Sequence, residues 1–67
     1  MTANEVQQLL SDLHSERSLA VLEGLGEQRA YMAELDEEIA TWRAAYVGAA
    51  VTEIATLRAE LSGPQVG

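Results

Sequence analysis

The chain has no cysteine, no lysine and no phenylalanine, one histidine and one proline. Without cysteine there is neither a disulfide nor a thiolate metal site. A single histidine, His14, cannot build a metal centre alone. These absences matter because 67 residues form one small domain, which buries only ~60% of the surface its unfolded chain exposes. Domains of this size are usually held by disulfides, metals or association with another chain. With the first two removed, association remains, and the expected state is a homo-oligomer, most simply a dimer. Abundant alanine without lysine also fits a GC-rich coding bias.

Basic charge is scarce. Eleven carboxylates face four arginines, for a net charge of −7. Such acidity keeps a small protein soluble and repels phosphate backbones, which argues against nucleic acid as a partner. The acids are uneven: residues 1–40 hold nine against two arginines, and residues 41–67 hold two against two. Long apolar runs are also missing. The longest, Ala44 to Val51 ("AAYVGAAV"), falls far short of the ~20 residues of a membrane span. "MTANEVQQ" lacks the charged and greasy regions of a signal peptide. No membrane and a cytoplasmic location are the expectations.

What is present is helical periodicity, and it predicts an all-α fold. Thr2–Glu5 ("TANE") has capping-box spacing, so a first helix is expected from about Ala3. Val6, Leu9, Leu10 and Leu13 share a stripe. Leu19 and Leu22 lie well away from it, so the helix either ends near His14–Ser18 or continues with its apolar band wrapping round; with no proline or glycine before Gly24, continuation to about Glu23, with an irregularity at 14–18, is the expectation. A second stripe, Met32, Leu35, Ile39, Trp42 and Tyr46, has the 3-4-3-4 spacing of a coiled-coil seam. After Tyr46 it slips by one residue to Val47/Ala50, then Val51, Ile54, Leu57 and Leu61. That slip implies either a straight helix or a break near Gly48. Gly63 and Pro64 should end the helix, giving one domain over 1–62 and a frayed tail over 63–67.

Between the stripes sits "VLEGLGEQRAYM" (Val21–Met32). Two glycines inside one helix would cost about 2 kcal/mol relative to alanine, and a hairpin hides two stripes at once. One straight-through helix keeps Val21 and Leu25 in phase with Met32, so phase alone allows either; the expected fold is a helical hairpin, with a helix over about 3–23, a turn that packs Leu25 on the core, and a long helix over about 27–61. At 1.5 Å per residue the second helix spans about 52 Å and the first about 32 Å. The first should run out near Val47 and leave the end of the second bare, and a second copy, antiparallel, would cover it as a four-helix bundle. The expected interface residues are Met32, Leu35, Ile39, Trp42, Tyr46, Val51, Ile54, Leu57 and Leu61. Ala44–Gly48 and Ala45–Ala49 would permit a close helix crossing.

Nothing in the sequence carries a reaction. His14 has Asp12, Glu16 and Arg17 nearby, but no activated nucleophile, so it reads as a surface residue. "ELDEE" (Glu34–Glu38) clusters four carboxylates. A carboxylate-bridged di-metal bundle needs a glutamate three residues before a histidine, and Ser11 stands there. The cluster therefore reads as a solvated face. No catalytic residue, cofactor or metal is expected.

One stretch, "GAAVTEIATLRAELSGPQV" (Gly48–Val66), resembles the helix-turn-helix segment of small DNA-binding proteins from GC-rich bacteria and their phages. Gly48, Val51, Thr52, Glu53, Ile54 and Ala55 match its first helix. Leu61, Ser62, Pro64 and Val66 match its turn and the start of its recognition helix. Ala50 stands where that pattern has a capping serine, and one extra residue separates Ala55 from Leu61. The resemblance implies a dimeric DNA-binding regulator with a truncated recognition helix. Composition and patterning imply instead an acidic, non-enzymatic, self-associating helical module; with the DNA-reading part missing, the resemblance itself then implies a small phage-type regulatory or host-protein-binding protein that works through protein contacts.

Overall fold

The computed structural model describes residues 1–63. Two antiparallel helices form a hairpin: α1 (Ala3–Leu22), a short 3-10 turn (Leu25–Glu27), and α2 (Arg29–Leu61). The molecule is a rod of 64 × 16 × 12 Å. Pro64 and the frayed tail expected up to Gly67 lie outside the described residues, apart from Gly63.

Helix α1 starts where its cap dictates. The Thr2 hydroxyl accepts from the Glu5 N–H at 3.1 Å, and the Glu5 carboxylate accepts from the Thr2 N–H at 3.1 Å. This satisfies two of the amides a helix start leaves without partners. The Thr2 amide and hydroxyl hold the Glu5 carboxyl below its ordinary pKa. A third amide, that of Ala3, donates across the hairpin to Glu53 Oε1 at 3.1 Å. A carboxylate there also suits the positive end of the helix dipole. No irregularity interrupts residues 14–18.

The chain reverses at the first glycine. Glu23 closes α1 by donating to the Leu19 carbonyl. Gly24 then takes φ +81°, a left-handed conformation that a side chain penalises, and its N–H returns to the Val21 carbonyl. Leu25 was expected on the core; it is 41% exposed, because the 3-10 turn carries it to the side of the hairpin rather than between the helices.

The core is small. Val6 and Ala20 of α1 and Met32, Leu35 and Ile39 of α2 are buried. Around them Leu9, Leu10 and Leu13, then Trp42 and Tyr46, are half-buried. On α1 the inward series Val6, Leu10, Leu13, Arg17, Ala20 keeps the spacing of a coiled-coil seam, and α2 answers with Met32, Leu35, Ile39, Trp42, Tyr46 and Ala49. Burying each large side chain contributes roughly 1.5–3 kcal/mol, so five buried residues make a modest core for a chain of this length.

Helix α1 reaches farther along its partner than expected. The sequence placed its end near Val47; the half-buried Ala49 and Ala50 face its start, and its Ala3 amide reaches the Glu53 side chain. The turn accounts for about one residue of this, since α1 ends at Leu22 and α2 begins at Arg29; the rest is the reach of the Glu53 side chain, which leans toward the N-terminus of α2 as helical side chains do. Helix α2 passes Gly48 without a break and ends at Leu61, where Ser62 donates to the Arg58 carbonyl.

Candidate interaction surface

The nine seam residues divide into three groups along α2. Met32, Leu35 and Ile39 are buried against α1 within the same chain. Trp42 and Tyr46 are half-buried at the flank of that contact. Val51, Ile54, Leu57 and Leu61 are 60%, 57%, 55% and 75% exposed. The first group is thus occupied by the hairpin's own packing, and the last is bare.

The bare group has a geometric origin. Beyond Glu53, residues 54–61 extend about 12 Å past the start of α1. Among the described residues no second helix lies alongside this overhang to cover apolar side chains. The sequence slip after Tyr46 adds a second cause. At about 100° per residue, Val47, Val51 and Ile54 point some 80–140° away from the Tyr46 direction. They leave the seam sideways even where α1 is still alongside. Val47, outside the expected interface set, is 56% exposed and belongs to this stripe. The signal for it was the slip itself.

The small residues at the middle of α2 are divided between the hairpin contact and the open surface. Ala44, Ala45 and Gly48 are exposed, while Ala49 and Ala50 are half-buried opposite the start of α1. A Cβ on Gly48 would meet nothing within 4 Å, so no neighbour within the hairpin requires glycine there.

A second apolar surface lies at the closed end. A shallow groove is lined by Leu19, Ala20, Leu25 and Tyr31, with Asp12, Ser15, Glu16 and Glu23 around it. Leu19 is 59% exposed. The Tyr31 hydroxyl donates to Glu16 Oε2 at 2.8 Å, tying the two helices together across the groove. That bond, first of all, raises the tyrosine pKa, because the carboxylate holds the protonated phenol. The sequence showed Leu19 and Leu22 leaving the first stripe, but the groove also needs Tyr31 and Leu25, which only the fold brings alongside.

The ion pair between Arg17 and Asp36, Nε to Oδ1 at 2.7 Å, joins the helices on the other side. Arg17 stands at an inward position between Leu13 and Ala20, where its stem crosses apolar surface and its head reaches solvent. The hydrogen bond from Arg17 is the main reason the Asp36 carboxyl lies below its ordinary pKa. One member of the "ELDEE" run is therefore a cross-helix partner; Glu34, Glu37 and Glu38 are exposed. His14 is exposed on α1. Among the described residues no group of three or more histidine, cysteine or acidic side chains is arranged to hold a metal ion. Nor, among them, is any helix long and apolar enough to cross a membrane.

Compared with protein-family models, curated proteins and solved structures, the chain finds no match. The geometry therefore carries the functional argument alone.

Proposed function

We propose that this chain is a non-enzymatic helical interaction module that self-associates through the aliphatic stripe of α2. The observation that carries the reading is the bare stripe leading into the overhang: Val51, Ile54, Leu57 and Leu61 are each more than half exposed, on a helix that outruns α1. A contiguous exposed apolar face marks an interface. A core of five buried residues among those described gives the chain reason to gain stability from a second copy. An antiparallel pair of hairpins, a four-helix bundle, is one closed form of such an assembly. The same surface suits capture of an amphipathic helix from a host or regulatory partner.

The test is the native mass of the Ile54→Asp/Leu57→Asp variant by light scattering. Two buried carboxylates per contact would carry a desolvation cost that no partner offsets, so the variant runs as a single chain of 7.2 kDa. An unchanged larger mass would exclude the stripe.

A second reading, a dimeric helix-turn-helix DNA-binding regulator, rests on the residue match over Gly48–Val66. The net charge of −7 weighs against it. DNA binding would slow a labelled duplex in a gel at low salt, with a steep loss as salt rises; no shift at low salt removes this reading.

A further inference from the structure

Helical rotation at about 100° per residue sorts the charges of this hairpin onto its two broad faces. The Arg17–Asp36 pair marks one face, and the Tyr31–Glu16 hydrogen bond marks the other. Arg29, Arg43 and Arg58 fall on the side of Asp36. All four arginines of the chain therefore share one face, Arg17 there paired with Asp36; the exposed Val47, Val51 and Ile54 lie among Arg43 and Arg58, with Glu60 turned toward the opposite side. Asp12, Glu23, Glu34 and Glu38 fall on the side of Glu16, and this acidic face holds the Leu19–Leu25–Tyr31 groove.

This distribution decides how copies meet. Stripe against stripe would bring arginines toward arginines, and groove against groove would bring carboxylates toward carboxylates. Stripe against groove sets unlike charges opposite each other, which selects register and suppresses the wrong pairing. It also covers both exposed apolar surfaces with one kind of contact, whereas a stripe-on-stripe pair leaves Leu19 and Leu25 in water.

Resting on the self-association reading above, we infer that the occupant of the closed-end groove is the α2 overhang of a second copy of this chain, so that the copies join through unlike surfaces. Leu57 and Ile54 lie on the floor formed by Leu19 and Leu25, and Arg58 faces the rim carboxylates Glu16 and Glu23. Each contact of this kind leaves one free groove and one free stripe. The assembly therefore continues, into a ring where the rotation closes and an open chain where it does not.

Mixing two damaged copies tests this directly. The Ile54→Asp/Leu57→Asp variant loses its stripe and keeps its groove. The Leu19→Arg variant keeps its stripe and places a cation on the groove floor, weakening association on the order of tenfold or more. Each alone is expected to run as a single chain in light scattering, and the equimolar mixture as a one-to-one complex of two chains that grows no further. Glu23→Arg, at an exposed rim position, serves as an independent groove variant should Leu19→Arg lose helical circular dichroism. A Leu19→Arg or Glu23→Arg protein that assembles as the wild type does, or a mixture that stays single while the wild type associates, would overturn the unlike-surface contact and leave self-association standing. A wild type that is single at every concentration overturns both.

Discussion

The two ends of this rod are built from similar residues and differ in what covers them. At the closed end Met32, Leu35 and Ile39 are sealed by α1. At the open end Ile54, Leu57 and Leu61 have the same apolar character on the same helix and are more than half exposed. Hydrophobicity is equal in kind, so the difference is one of length. Twenty residues of α1 cannot shield thirty-three of α2. A helix keeps its conformation mainly through the apolar face it buries, and the open end has that face without its cover. Position along the rod, together with the face of the helix a residue occupies, therefore separates the residues that hold the fold from those free for another chain.

The largest test of that separation truncates one leucine at each end. Leu35→Ala opens a cavity in a core with little to spare and should cost about 2–5 kcal/mol, enough to unfold much of the protein in a thermal melt followed by circular dichroism. Leu57→Ala, exposed on the overhang, should move the stability of a lone hairpin by no more than about 0.5 kcal/mol. Equal costs in dilute solution would erase the distinction.

A smaller effect contrasts two glycines. Gly24 holds the reversal with φ +81°, and Gly24→Ala should destabilise by roughly 1–2 kcal/mol because its Cβ crowds the following carbonyl in that conformation. Gly48 is ordinary helix with open space at its Cβ, and Gly48→Ala should stabilise by up to about 1 kcal/mol. Urea melts of the two variants should move in opposite directions; movement in the same direction would contradict the assigned turn.

The smallest effect is acid dependence at the covered end. Arg17 holds the Asp36 pKa below its ordinary 3.8. A depressed folded value means that the pair's contribution is present above about 3.8 and is lost as pH falls through the folded value. The gap in melting temperature between wild type and Asp36→Asn should be constant from neutral pH to about 5 and shrink below 4, where Asp36 protonates. A gap that persists at pH 2 would show that the ion pair is not its source.

Local chemistry made much of this architecture legible in advance. The capping box at Thr2, the glycines at the turn, the seam from Met32 to Tyr46 and the helix end near Leu61 each depend on residues a few positions apart. The register between helices followed only approximately, since it depends on the turn and on side-chain reach; the Ala3 amide meets the Glu53 side chain, beyond the expected Val47. Contacts between distant residues were equally out of reach. Nothing local links Arg17 to Asp36 or Tyr31 to Glu16, and the closed-end groove is assembled from both helices and the turn. The bare overhang was readable because it needs only two lengths and a stripe.

The central claim, that α2 offers an interface, is tested most directly by the mass of the unaltered chain in solution over a wide range of concentration. The account predicts a mass above 7.2 kDa that rises with concentration. A mass fixed at 7.2 kDa up to millimolar protein would contradict it.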